Sequence, residues 1–272
     1  MGSETARRVF YEKDLDLERE AIIKRHRKCK GTGYVEKLIS DDTIFAKKVV
    51  EPCICRKKFE GVSKLVLSNI PYRELVNQQI YGKLVHDVIE DEKREFKKDF
   101  FFPYIKSLKK AAKNPFGFLL LGKNGTGKTF VGLKILFYAI KAGMTAHSIE
   151  MSEFLKLARK TFDREPLIED LLYEISTVDF LMVDEIGNES KSSRYVISEF
   201  KSLYKRRILL NKPTILVSNY SFQEFKKVYG KSITNLVESY CKVFDFSMSA
   251  DVRKTKGRMD MDTFFKKIKR KK

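Results

Sequence analysis

The chain has 272 residues, 43% of them hydrophobic, which is enough for a substantial core in one large domain or in one domain with an appendage. A formal charge of +19, from 55 Lys and Arg against 36 Asp and Glu, favours polyanionic partners. Nucleic acid is the leading class, and a solvated lysine-rich surface is the plain alternative.

No apolar run approaches the ~20 residues that a membrane helix needs. The opening stretch, MGSETARRVFYEKDLDLERE, lacks the apolar segment of a signal peptide. The expectation is a cytoplasmic protein with no membrane partner. Without a secretion signal the cysteines do not read as a disulfide framework. Cys29, Cys53 and Cys55 lie close together in sequence, which points to a local metal site, whereas Cys241 stands apart and reads as core.

In chain order, residues 1 to about 25 read as helical, with apolar residues at helical spacing in DLDLEREAIIKRHRK. The cysteine segment follows, with GTG as a turn and FAKKVV as a strand. Past Pro71 comes a long helical stretch that Pro103 interrupts. From residue 115 the pattern changes. FGFLLLG, TAHSIEM, VDFLMVDEI, KPTILVSN and KVFDFSM read as five strands. Between them lie helices: one from Lys128 closed by Gly143, one opened by Ser152 as N-cap, SSRYVISEFKSLYKRRILLN, and the short SFQEFKKVY and SITNLVESY. This alternation predicts an α/β fold with a mostly parallel, buried sheet of five strands flanked by helices. The basic end, FFKKIKRKK, reads as a phosphate-contacting tail or a frayed terminus.

Three stretches carry chemistry. Gly122, Lys123, Asn124, Gly125, Thr126, Gly127, Lys128 and Thr129 follow the phosphate-loop pattern G-x-x-x-x-G-K-[ST] between a strand and a helix. Glycines let the backbone curl round phosphate oxygens, and the helix adds its positive end. Lys128 can reach the β- and γ-phosphates of ATP, and the Thr129 hydroxyl can ligate Mg²⁺. FLMVDEIG brings Asp184 and Glu185 to the C-terminal end of a strand, where open α/β sheets bind ligands. Asp184 is expected to hold Mg²⁺, and Glu185 to act as general base on the attacking water. Asn219, at the end of TILVSN, can orient water near the γ-phosphate; the same residue type also caps turns.

Taken together, GKNGTGKT as Walker A, LMVDEIG as Walker B and ILVSN as sensor 1 resemble an AAA+ ATPase. Within that class the chain resembles the DnaC/DnaI-type replicative helicase loaders and their IstB-like relatives, most clearly over residues 115 to 255. The resemblance implies an N-terminal partner-binding region at 1–75 and an AAA+ domain at 76–272, with its core at 115–255 and a short basic tail. SMSADVRK looks like the family's sensor-2 ending, which makes Arg253 the sensor-2 candidate. HRKCKGTGYV and EPCICRKKF resemble a zinc segment with His26, Cys29, Cys53 and Cys55 as ligands, His26 standing where relatives have a cysteine. One histidine and three cysteines suit a closed tetrahedral Zn²⁺ site.

The family's arginine finger lies in a helix that here reads YGKSITNLVESY and contains no arginine. Arg206 or Arg207 could substitute, Lys231 could do part of the work, or a partner could supply the charge. Slow ATP hydrolysis without a partner is therefore expected.

By resemblance, the chain would be a bacterial protein, or a phage protein in a bacterial host. Its N-terminal region would bind a replicative hexameric DNA helicase, and its ATPase domain would bind single-stranded DNA and self-associate. Lys156, Arg159, Lys160 and Phe162 are the candidates for a DNA-facing helix, with an ordinary wet basic face as the alternative. Two other readings stay open: an IstB-like transposition helper, and an ATP-gated adaptor with little hydrolysis.

Overall fold

The five apolar runs form one sheet because strands buried on both faces need hydrophobic residues at every position rather than at alternate ones. The computed structural model describes residues 6, 8–39, 47–70, 100–163, 165–188 and 194–247. The chain divides into two compact units, Met1–Tyr72 and Arg73–Lys272.

In the larger unit, β3 (Gly117–Leu121), β4 (Ala146–Glu150), β5 (Phe180–Ile186), β6 (Thr214–Ser218) and β7 (Cys241–Asp245) lie in the order β4-β5-β6-β3-β7. Every pairing is parallel. The five strands are those expected from the sequence. Alternation along each strand sorts the side chains onto two faces. Leu119, Leu121, Leu181, Val183 and Leu216 enter the main core, which also contains Phe154, Leu171, Phe200 and Phe225 from the helices. On the other face Met182 and Ile215 meet the helix Lys128–Lys141 at Gly132, and Phe118 meets the Tyr104 ring at 4.5 Å.

The helices are α3 (Lys128–Lys141), α4 (Met151–Lys160), α5 (Pro166–Thr177), α6 (Arg194–Leu209) and α7 (Phe222–Tyr240). The two short helices expected at the end are both present within α7, divided at Gly230, whose backbone is not helical. A capping box between Ser221 and Glu224 starts α7. Two local expectations need correction. α4 begins at Met151 with Glu150 at the N-cap, so Ser152 is not the cap. Pro103 lies in the first turn of the short helix Phe102–Lys106, directly after the π-helical residues Phe100 and Phe101; the stretch before residue 100 lies outside the described residues. α5 was not anticipated at all.

The end of the sheet where the strands begin is closed by polar groups. The Asp179 carboxylate accepts from the Thr145 amide at 2.9 Å and pairs with Lys212. Arg207, fully buried, donates to the carbonyls of Ser176, Val178 and Pro213 and to the Thr214 hydroxyl, at 2.7–3.0 Å.

The smaller unit contains α1 (Glu12–Arg19), a π-helical turn Glu20–Lys24, the ribbon β1 (Tyr34–Ile39) and β2 (Lys47–Pro52), and α2 (Ile54–Leu67). β1 and β2 are antiparallel, with Tyr34 opposite Pro52. β2 falls on the expected strand FAKKVV, and β1 adds a second strand beside it. The expected sensor-2 residue Arg253, the basic tail and most of the helix predicted before residue 100 lie outside the described residues.

Candidate nucleotide site and cysteine cluster

β3 ends at Leu121, and the loop that follows carries Gly122, Gly125 and Gly127 at φ values of 132, 81 and 88°. That is backbone which residues with a Cβ rarely adopt. Gly122 also has no room for a side chain: a Cβ there would lie 2.7 Å from the Phe246 backbone. Thr126 is buried and donates to the Lys123 carbonyl at 2.9 Å, while Asn124 is exposed at the loop tip. α3 then starts with no side-chain cap and no acid in its first turn. Its leading amides and positive end therefore suit an anion.

Lys128 is only 4% exposed. Its ammonium donates to the carbonyls of Gly122 at 2.7 Å and Lys123 at 2.8 Å, and to Asn219 Oδ1 at 3.1 Å. The loop is thus wound round its own cation, and the tip of β6 touches the same charge. Asp184 falls on the α3 face of β5 by the two-residue period that also sends Phe180 and Met182 there. Burial pushes its carboxyl above the ordinary carboxylate range, against hydrogen bonds from the Glu185 amide and the Thr129 hydroxyl that pull it down. A buried carboxylate beside a threonine hydroxyl fits a divalent cation, whose charge would offset the cost of ionising it.

Glu185 is exposed, and simple strand alternation does not account for it. The β5–β6 register shifts between Val183 and Ile186, and Glu185 has φ 54°. Such a bulge re-aims a side chain at the cost of local strain. Two residues that sequence reasoning did not single out hold this bulge from β6. The Ser218 hydroxyl donates to the Ile186 carbonyl at 2.6 Å, and the Tyr220 hydroxyl donates to the Gly187 carbonyl at 2.9 Å. Gly187 is required there, because a Cβ would meet the Tyr220 ring at 2.5 Å. No spacing rule marks either residue.

Of the arginine-finger candidates, Arg207 is excluded: its donors are committed to the buried end of the sheet, where no partner subunit can reach them. Arg206 is exposed and lies over the Tyr173 ring at 4.8 Å, and Lys231 is exposed on α7. On α4, Lys156, Arg159 and Lys160 are exposed, and Phe162 just beyond the helix is 74% exposed. The Arg159 guanidinium lies 5.5 Å from the Tyr195 ring centroid.

In the smaller unit, one ligand atom from each of His26, Cys29, Cys53 and Cys55 lies within 4.8 Å of the others. His26 Nδ1 is 3.5 Å from both Cys29 Sγ and Cys53 Sγ, and Cys29 Sγ is 3.4 Å from Cys55 Sγ. Tetrahedral zinc, with bonds of about 2.3 Å to sulfur and 2.0–2.1 Å to nitrogen, needs donors about 3.5–3.8 Å apart, so the quartet fits the ion. Burial pushes the Cys29 thiol up, but hydrogen bonds from His26, the Gly33 and Gly31 backbone and Cys55 outweigh it and bring it down to about 6. Cys55, pushed up by burial and by its two cysteine neighbours, stands at about 12. Cys241 is buried in the core beside the Tyr204 hydroxyl at 3.1 Å, as expected.

Residues 65–237 match the family model for IstB-like ATP binding proteins. Among curated proteins, the replicative helicase loader DnaC of Escherichia coli (strain K12) is 29% identical over 119 residues, 43% of this chain and 47% of that protein. DnaC of Buchnera aphidicola subsp. Acyrthosiphon pisum (strain APS) is 30% identical over 118 residues, 43% and 48% of the two chains. The chain thus spans about half the length of the curated relatives it matches. Among solved structures, a DNA replication initiation factor superposes with a TM-score of 0.51 at 17% identity, over 65% of this chain and 54% of that one. That is a likeness of fold. Among the described residues no helix is long and apolar enough to cross a membrane.

Proposed function

The chain belongs to the IstB-like ATP binding proteins, and from that premise we propose that it is an ATP-hydrolysing loader, which binds a replicative hexameric helicase and single-stranded DNA and deposits the helicase on DNA during replication initiation. Its larger unit has the AAA+ fold. The observation that carries the ATPase reading is the convergence at one sheet end of the Lys128 ammonium, the Thr129–Asp184 pair and Asn219. In this reading Gly122, Asn124, Gly125, Thr126, Gly127, Lys128 and Thr129 hold the triphosphate. Thr129 and Asp184 hold Mg²⁺, which supplies charge neutralisation on the phosphates. Glu185 takes the proton of the attacking water, Asn219 orients that water, and Arg253 contacts the nucleotide from the C-terminal side.

His26, Cys29, Cys53 and Cys55 hold a structural Zn²⁺, with no position open for catalysis. Residues 1–75 form the partner-binding region and 76–272 the ATPase domain. The reading of the first as a helicase-binding surface is supported by the exposed apolar residues Val9, Phe10 and Leu17. The exposed Arg159 and Phe162 support single-strand contact from the ATPase unit, since bases stack on aromatics and phosphates pair with cationic side chains.

A nucleotide-gated adaptor with little turnover is the second reading. One observation favours it: α7, where the family's finger stands, has no arginine. The same observation supports slow hydrolysis until a partner or a second copy supplies charge.

Nucleotide binding, ATP turnover and helicase co-purification with ATP test these roles together. Lys128→Ala is expected to lose nucleotide binding. Glu185→Gln is expected to keep binding while turnover falls about 10²- to 10⁴-fold. Unchanged affinity in the first variant would refute the phosphate-loop assignment. Unchanged turnover in the second would favour the adaptor.

A further inference from the structure

The smaller unit mixes both signs in α1, where Lys13 and Arg19 stand among the acids, and in the ribbon, where Lys37 pairs with Glu51, but not around the cysteines. α1 and its extension contain Glu12, Asp14, Asp16, Glu18 and Glu20, yet no acid occurs between Glu20 and Glu36, or between Glu51 and Glu60. Those two acid-free stretches are the ones that fold round the cysteine cluster. They expose Arg25, Arg27, Lys28 and Lys30 on the loop that carries His26 and Cys29, and Lys58 one turn after Cys55. Lys24, just before them, is paired with Glu20 at 2.8 Å. Arg25 also lies close enough to Glu20 to help lower its carboxyl, whereas Arg27, Lys28 and Lys30 form no ion pair among the described residues.

The same surface holds an aromatic platform. Tyr34, at the start of β1, is 40% exposed. The Arg56 guanidinium lies over its ring at 4.6 Å, with Glu60 near the guanidinium at 3.7 Å. The loop itself is fixed. The Gly31 and Gly33 backbones hydrogen-bond to Cys29, and the Cys53 amide donates to the Gly33 carbonyl at 2.8 Å.

We propose that this basic loop and the Tyr34–Arg56 platform bind the sugar–phosphate backbone of a single-stranded nucleic acid, giving the molecule a strand contact in the N-terminal unit, separate from any in the ATPase unit. A surface kept merely soluble intersperses both signs. Like charges crowded on a rigid turn repel one another, and phosphates spaced along a strand relieve that repulsion while releasing their counterions. A flanking aromatic lets a base stack. A zinc ion with three thiolates and a neutral imidazole contributes a single negative charge, which the surrounding cations outweigh. The inference does not depend on ATP hydrolysis.

The test uses the full chain without nucleotide. Anisotropy of labelled oligothymidine and oligouridine strands of equal length is followed across a salt series. Wild type is compared with Arg27→Glu/Lys28→Glu/Lys30→Glu, with the milder triple glutamine variant, and with Lys156→Glu/Arg159→Glu on the ATPase unit. Halogenated strands are photo-crosslinked to wild type and the peptides mapped, which requires no variant to fold.

The triple reversal is expected to weaken binding at least about tenfold and to lower the salt slope by about 2, at roughly 0.7 per lost phosphate contact. The glutamine variant should fall between, and crosslinks should appear within residues 25–34 or 53–58. Equal loss on both strands identifies phosphate as the group recognised, and loss on oligouridine alone identifies RNA as its source; either supports the proposal. Unchanged affinity and slope with crosslinks confined to the ATPase unit would overturn it. So would a triple variant that binds both strands normally but no longer captures the helicase, since the patch would then serve an acidic protein surface.

Discussion

Arg207 and Arg206 are neighbours in sequence with opposite fates. Arg207 makes four hydrogen bonds, three to backbone carbonyls that have lost water, and burial pushes its guanidinium down to about 9. Such an arginine persists because its fan of donors matches a fixed set of acceptors. Arg207→Met keeps bulk but leaves those carbonyls unpaired, and is expected to cost about 3–5 kcal/mol in urea unfolding. Arg206→Ala should cost less than about 1 kcal/mol, the worth of an exposed cation over an aromatic ring. Comparable losses for the two would show that the buried network is not what holds the sheet end. Nothing local in YKRRILL distinguishes the two arginines, because the acceptors come from the end of α5, the turn that follows it, the turn before β6 and the start of β6. The curl of the phosphate loop, by contrast, was legible, because its glycines at positive φ and the lysine it winds round all lie in one short stretch of backbone. Asp184 was legible from its strand. The bulge that turns Glu185 outward was not, since it is imposed by Ser218 and Tyr220 from the neighbouring strand.

At the scale of elements, β3, β5 and β6 could be read in advance because they are largely apolar on both faces, while β4 (AHSIE) and β7 (CKVFD), polar in part, were legible from the helices and turns beside them. α5, PLIEDLLYEIST, escaped because it has only three turns, a mixed composition and an acidic outer side, although Pro166 at its first turn and Ile168, Leu171 and Ile175 at helical spacing are its signature. The two-stranded ribbon was half-seen because its strands are short and one face is wet. The sheet's starting edge offers a pH test. Burial raises the Asp179 carboxyl, but hydrogen bonds from Lys212 and the Thr145 amide and the Lys212 charge outweigh it, so the folded value lies below the unfolded one. A depressed carboxylate contributes stability above its unfolded pKa of about 3.9, and that contribution vanishes as pH falls through the folded value. Asp179→Asn should therefore be the less stable protein at pH 7, by less than about 1 kcal/mol for so accessible a pair. The gap should narrow steadily below about pH 4. An equal gap at both extremes of an unfolding series would mean that the carboxylate's charge is irrelevant to the join.

At the scale of the whole molecule, two compact units share one chain. One is held by a large apolar core, the other by a small cluster in which Cys29, Cys53 and Cys55 are themselves core residues with Ile23. In the proposed reading, a unit of that size would lean on zinc for stability. Treatment with a strong zinc chelator is expected to remove one unfolding transition in calorimetry and leave the other in place. Saturating ATP analogue, at about a hundred times its Kd, should raise the surviving transition by about 2.7 kcal/mol and leave the chelator-sensitive one unmoved. A single transition that moves with both reagents would show that the two units unfold as one.

The bonds that tie the tip of β6 to β5 end on main-chain carbonyls, those of Ile186 and Gly187. A carbonyl survives any change of side chain, so replacing Glu185 leaves the fastening intact. Asn219 sits between the two donors of that fastening, and its grip on Lys128 is anchored independently of the acid beside it. Under the roles proposed for them, Glu185 and Asn219 can therefore be retuned separately, by selection or at the bench, without either dragging the other out of register.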